Sequence, residues 1–313
     1  MRNTFDKTLS ELAKSDPRIF LVVSDVSPVT FKVFTQAHPD RFWNIGIAEQ
    51  MMVSGAAGLS LTGKIPFLCT IATFQTMRCY EQIRDDLGYQ HLNVKLVGIG
   101  GGISYSVLGG THHAIEDYAI MRAIPGMTVV SPADPPEMGR LTKAALNHMG
   151  PMYIRIAKNN EPTLVPDTEP FVMGRAIMVR RGTDVTLVST GIILKHVLQA
   201  ADVLEKTGIS VRVLHAHTIK PFDADAILQA ANETKALVSV EEHTVIGGLG
   251  SAVAEALAEG GGCIPFKRLG LQDVFCTEYG THDDVLKSVG IDADSIAKAA
   301  RALLNGKNLN PKL

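Results

Sequence analysis

Two consecutive α/β domains with mainly parallel sheets are what this sequence predicts. Three observations carry the prediction. Short apolar runs rich in Val, Ile and Leu alternate with longer segments of helical period. Several of those runs are apolar nearly throughout, as expected of strands covered by helices on both faces. A proline-bearing stretch interrupts the alternation near the middle, and the alternation restarts after it. The 313 residues suit two domains of ordinary size.

The elements follow in order. Asn3–Lys14 has helical period, and Ile19–Val23 (IFLVV) is a buried-strand run. Glu49–Leu61 is a helix of small and apolar residues, and Pro66–Ile71 the next strand. Helix Phe74–Leu87, strand Val94–Ile99, helix Glu116–Ala123, strand Thr128–Ser131, helix Pro135–His148 and strand Met152–Ile156 complete the first domain, placed at 1–160. The stretch Asn159–Gly174 carries Pro162, Pro166 and Pro170 among several acids and reads as an extended linker. The second domain, 172–313, has strands at Val185–Ser189, Ser210–Leu214, Ala236–Val240 and Pro265–Leu269. Its helices are expected at Ile193–Lys206, Asp223–Ala231, Ser251–Leu257 and Ser295–Leu304.

Composition excludes several classes. Thirty Lys and Arg against 32 Asp and Glu argue against a binder of nucleic acid or anionic membrane. No apolar run reaches the roughly 18–20 residues needed to cross a bilayer. The segment MRNTFDKTLSELAKSD lacks the apolar centre of a secretory signal. Cys69, Cys79, Cys263 and Cys276 have neither CxxC spacing nor the density of a disulfide framework. A cytoplasmic protein with reduced thiols is the expectation.

Single motifs leave much open. GIGGG (Gly98–Gly102) follows a strand but does not open a GxGxxG helix or a P-loop, so tight turns explain it best. GGLGS (Gly247–Ser251) either holds an anion at a helix N-terminus or lets strand and helix pack closely, the second being the stronger reading. His215 and His217 share a strand face, and two such side chains make no metal site without further ligands. No metal site is expected on this chain. His112 and His113, in GGTHHA, sit where α/β proteins place chemistry, beyond a strand and before a helix. Glu49 opens an apolar helix with no Lys or Arg after it until Lys64, so a desolvated carboxyl group of raised pKa is expected. An ordinary first-turn glutamate is the plainer alternative. Phe74 and Tyr80 flank Arg78 on one expected helix, as a core stripe or as a platform for a flat cofactor.

Together these segments resemble a known family. NIGIAEQMMVSGAAGLS, ATFQTMRCYEQIRDD and GGTHHAIEDYAIMRAIPGMTVVSPADPPE are similar to the pyrimidine-binding domain of transketolases and 1-deoxyxylulose-5-phosphate synthases. TLVSTGIILKHVLQAADVLEKTGISVRVLHAHTIKPFD and VEEHTVIGGLGSAVAEALAE resemble the transketolase C-terminal domain. The resemblance covers nearly the whole chain in order. It implies thiamine diphosphate as cofactor, with Glu49 bonding the aminopyrimidine ring nitrogen and controlling its tautomer. It implies stacking by Phe74, Tyr80 lining the same pocket and Asp25 near the cofactor. His112 is implied in proton transfer or hydroxyl binding, and Arg2, Arg78 and Lys158 in contacts to substrate phosphate.

Departures from the family pattern bear on substrate and partner. Leu108 stands where relatives commonly carry an acid, Gly100 near a family His, and Lys158 in place of the usual Arg. A ketose or branched sugar phosphate other than xylulose 5-phosphate is therefore expected. No GDG…N motif, the family's holder of Mg²⁺ and diphosphate, occurs. The chain thus resembles the C-terminal half of a split transketolase. The implied partner is a separate N-terminal subunit that carries the GDG…N site and Mg²⁺, in an α2β2 heterotetramer. The expected reaction transfers a two-carbon ketol unit from a ketose phosphate to an aldose or aldehyde. The rival readings are the beta subunit of a 2-oxo-acid dehydrogenase decarboxylase and a non-catalytic partner subunit.

Overall fold

A computed structural model describes residues 1–25, 28–158, 161–166 and 170–306. The first helix, α1 (Arg2–Ser15), buries Phe5, Leu9 and Ala13, whose spacing puts them on one face. Strand β1 (Ile19–Val23) leads to the short helix α2 (Lys32–Ala37) and strand β2 (Phe42–Asn44). Helix α3 (Glu49–Leu61) and strand β3 (Ile65–Ile71) follow. The next helical stretch is α4 (Tyr80–Gln82) between two π turns, Phe74–Arg78 and Ile83–Gly88. Then come β4 (Lys95–Ile99), α5 (Asp117–Ala123), β5 (Thr128–Val130), α6 (Pro135–Asn147) and β6 (Met152–Ile156). The remainder comprises β7 (Ile177–Arg180), β8 (Val185–Ser189), α7 (Leu194–Glu205), β9 (Val211–His215), β10 (Thr218–Lys220), α8 (Ala224–Glu233), β11 (Ala236–Thr244), α9 (Leu249–Glu259), β12 (Phe266–Leu271), α10 (His282–Ser288) and α11 (Ala293–Leu304).

Two sheets result, ordered β10-β5-β6-β4-β3-β1-β2 and β12-β11-β8-β9-β7. All pairings are parallel except β10 with β5 and β7 with β9. The continuous apolar runs are the inner strands: every residue of β4, β6, β8 and β9 is buried. This two-domain α/β architecture is the one the alternation predicts. The sheets do not divide where the linker does, because β10 lies after it in sequence and pairs with the first sheet.

Five elements escape the periodicity. Strands β2, β7 and β10 are three or four residues long, and helices α2 and α10 only six and seven. The stretch expected as one helix over Phe74–Leu87 winds largely as π turns. One consequence is local: Arg78 lies over the Phe74 ring, 4.1 Å from its centroid. Asn159, Asn160 and 167–169 of the expected linker lie outside the described residues.

Charged side chains join the two sheets. Arg155, on β6, is buried; its guanidinium donates to the Glu242 carbonyl at 2.6 Å and the Ala114 carbonyl at 3.2 Å, and faces Asp117 at 3.3 Å. Asp134 caps α6 through the Glu137 N–H, and its other oxygen accepts from Leu164 and Val165 at 2.7 Å each. That pins the chain after β6 to the first sheet. The GGLGS segment packs closely, with the anion supplied from inside. Glu241 accepts from the N–H groups of Leu249 and Gly250 at 2.6 and 2.8 Å, satisfying the start of α9. A Cβ on Gly248 would lie 2.1 Å from that carboxylate.

His215 and His217 have a structural setting. His215 shares a 2.9 Å hydrogen bond with buried Glu137, and His217 packs on Phe171. Burial pushes His217 down to about 4, His148 to about 4 and His243 to about 3. Unfolded, each ring takes up a proton near pH 6.5. Between about pH 6.5 and about 4 the unfolded chain therefore binds more protons, and stability falls as the pH drops. Burial raises Glu241 to about 7 and also lifts Asp6, Glu116 and Asp117, which acts in the opposite sense, while burial lowers His113 and His196 as well and adds to the side of the rings. The denaturant midpoint is expected to be lower at pH 5 than at pH 7. An equal or higher midpoint at pH 5 would contradict this account.

Candidate active site

The cleft that gathers the sequence-marked residues lies beyond the carboxyl ends of β1, β3 and β4, where open α/β sheets bind ligands. Its volume is about 290 Å³. Ser24 and Asp25 follow β1, Thr70 and Ile71 end β3, and Ile99 ends β4. Arg2 enters from the start of α1, and Phe74 and Arg78 from the first π turn. Asp25 has φ 46°, a left-handed backbone that non-glycine residues seldom adopt and that concentrates at functional positions. The Ser24 hydroxyl donates to the Gly46 carbonyl at 2.7 Å, and Thr70 donates to the Ser24 carbonyl at 3.1 Å. These bonds hold the cleft floor.

Glu49 is the first residue of α3, so the helix N-terminus favours its charge. It is 4% exposed. The expectation of a carboxyl group with no cation beside it needs correction. The fold brings in Arg78 from 29 residues away, and one guanidinium nitrogen donates to both Glu49 oxygens at 3.2 Å. Sequence neighbours could not reveal that pairing. Arg78 thus contacts Glu49 and the face of Phe74 while its side chain stays 45% exposed at the cleft.

His112 is half-buried. Its ring meets Phe74 edge-on at 5.3 Å and Tyr105 at 6.0 Å, and its Nδ1 is 2.9 Å from the Thr111 hydroxyl. Lys158 places its Nζ 5.0 Å from the Tyr105 centroid. Arg2, Asp25, Glu49, Phe74 and Arg78 thus line the cleft, with His112 and Lys158 at its rim through ring contacts. Tyr80 is directed elsewhere. Its hydroxyl donates to the Ile120 carbonyl at 3.0 Å, and its ring packs with the core around Val53 and Ile83. Sequence reasoning missed Tyr105, Thr30 and Ile47. Tyr105 lies in a loop read only as turns, and nothing local marks it.

Comparison with known proteins fits this geometry. Residues 1–163 match the transketolase pyrimidine binding domain, and residues 174–296 match the transketolase C-terminal domain. The chain belongs to the transketolase family. The SqwH subunit of the 6-deoxy-6-sulfo-D-fructose transketolase of Clostridium sp. (strain MSTE9) is 40% identical over 98% of this chain and 95% of its own. One subunit of the apulose-4-phosphate transketolase of Phocaeicola vulgatus is 38% identical over 96% of each. A solved split gene transketolase, described as an inactive beta4 tetramer, superposes with a TM-score of 0.88 at 39% identity, covering 98% of both chains. More narrowly, then, this chain is the C-terminal subunit of a split transketolase, a transferase of the thiamine diphosphate class. Such relatives imply a partner subunit and do not favour the dehydrogenase reading. Among the described residues no helix is long and apolar enough to cross a membrane.

Proposed function

We propose that this chain supplies the pyrimidine side of a thiamine diphosphate site and that a separate subunit completes it. The assembly moves a two-carbon ketol unit from a ketose phosphate to an aldose or aldehyde in the cytoplasm. The observation that carries this reading is the buried Glu49 carboxylate, paired with Arg78 and set beside Phe74 in the cleft. A carboxyl group and a flat ring side by side suit an aminopyrimidine, one by hydrogen bonding to a ring nitrogen and the other by stacking. When bound, thiamine diphosphate supplies the electron sink for the two-carbon unit.

The chain's own residues hold and orient. Glu49 fixes a proton at the pyrimidine-facing position, and Arg78 keeps the carboxylate in place. Asp25 stands at the cleft end of β1 in its left-handed conformation. His112, against the Phe74 ring on one side and bonded to Thr111 on the other, is the residue we assign to binding a substrate hydroxyl or passing a proton. Arg2 and Lys158 bring positive charge for an anionic end group. Mg²⁺ and the diphosphate belong on the partner in this reading, since this sequence has no GDG motif. An α2β2 heterotetramer would then bring the two halves together.

The test is to co-purify the chain with its natural partner and screen ketose phosphates for aldehyde-dependent transfer. The expected result is turnover that requires both subunits and thiamine diphosphate. Failure across the sugars, with turnover of pyruvate or a branched 2-oxo acid on lipoamide, would overturn it.

A further inference from the structure

Gly100 has φ 74°, and a Cβ built there would lie 2.0 Å from the Tyr105 ring. The ring of Tyr105 thus fills the hollow that a side chain at position 100 would need. It is held from other directions by Lys158, 5.0 Å from its centroid, and by the His112 ring at 6.0 Å. Tyr105 also lines the cleft with Arg2, Glu49 and Phe74. Among the described residues its hydroxyl has no hydrogen-bond partner, while the hydroxyls of Tyr80, Tyr118 and Tyr153 each have one. A phenol wedged on its ring but unbonded at its oxygen is arranged to meet something that enters the cleft.

The charge around it defines the chemistry. Lys158 stacks on the ring, and Arg2 is near enough to act on the hydroxyl electrostatically. Burial raises the Tyr105 hydroxyl above its ordinary range, so it stays a neutral donor at physiological pH. The guanidinium Nε of Arg2 is buried without a partner. A neutral O–H donor within the field of Arg2, on a ring that Lys158 covers, suits an anionic oxygen-rich group such as a phosphate or sulfonate, and suits a neutral sugar end less well.

We propose that Tyr105 is a specificity-determining residue of this transferase. Its hydroxyl donates to the anionic end group of the ketose donor, and its ring, seated on Gly100, sets how deep that end group lies. This rests on the functional reading above. It explains how one site combines a glycine at position 100 with a lysine at 158. The tyrosine replaces local bulk and supplies the directional hydrogen bond that a lysine ammonium, a compact point charge, provides less well than an arginine fork.

Tyr105→Phe removes the hydroxyl and keeps the ring in its hollow. In the assembled enzyme, kcat/KM is compared for xylulose 5-phosphate against free xylulose, and for 6-deoxy-6-sulfofructose against free fructose. The substitution should lower kcat/KM at least about tenfold for the anionic donors, mainly through KM, and leave the neutral ones nearly unchanged. A selective loss with one anion alone also supports the proposal and shows which end group the site takes. Cofactor-free assembly should show the same weakening when titrated calorimetrically with xylulose 5-phosphate. As a second variant, Gly100→Ala should displace the ring and give the same selective loss. Equal losses for anionic and neutral donors, or none for either, would overturn the proposal while wild-type turnover leaves the functional reading standing. Absence of thiamine diphosphate-dependent turnover in the wild-type assembly would overturn both.

Discussion

Glu49→Ala in the assembled enzyme is expected to cut turnover by about 10²–10⁴-fold, the range for losing a positioned acid–base group. The protein should still fold. Glu49 sits at the first turn of α3, where its favourable charge is worth only about 0.3–1 kcal/mol. The Arg78 side chain left behind is 45% exposed, so water can solvate its charge. Glu49→Gln should also fail, because an amide keeps the shape but cannot exchange the proton. Turnover and thermal midpoint measured on the same preparations decide the matter. Near-normal turnover by a well-folded Glu49→Ala variant would remove this residue from the chemistry.

Arg155→Met should be the most destabilising single change, at about 3–5 kcal/mol. Arg155 is 4% exposed and Asp117 fully buried, so neither charge is solvated. Without the guanidinium, Asp117 keeps the Tyr153 hydroxyl at 2.6 Å but loses its counter-charge, and the carbonyls of Ala114 and Glu242 lose a donor. Folded proteins are stable by only about 5–15 kcal/mol, so a third of that margin can go in one step. Arg155→Lys should not rescue, since one ammonium cannot span both carbonyls and the carboxylate while stacking 4.1 Å over Tyr118. Denaturant unfolding measures the loss. A value under about 1 kcal/mol would mean the network is dispensable.

The inner strands were legible because both faces of each are covered, which makes whole apolar runs such as Met152–Ile156. Strands β2, β7 and β10 were not, since edge pieces of three or four residues carry no period. Helix α10 announces itself only through its Thr281 capping box, a signal easily lost among loop residues. At the site, Glu49 and Phe74 stood out by motif. The Arg78 partner of Glu49 depends on a contact across 29 residues, and Tyr105 matters only because the loop folds its ring onto Gly100. Tyr80 follows the π turn that carries Phe74, and its hydroxyl bonds the Ile120 carbonyl instead of facing the cleft, a direction no sequence period announces.

The antiparallel pairing of β10 with β5 has a consequence for synthesis. A chain emerging from the ribosome can assemble β1 to β6 early, but the outer side of β5 stays an open edge until residues 218–220 appear. An open edge is the part of a nascent sheet most exposed to wrong neighbours. Interrupting translation anywhere between β6 and β10 would release a first sheet one strand short, so that sheet is complete only after part of the second has been made.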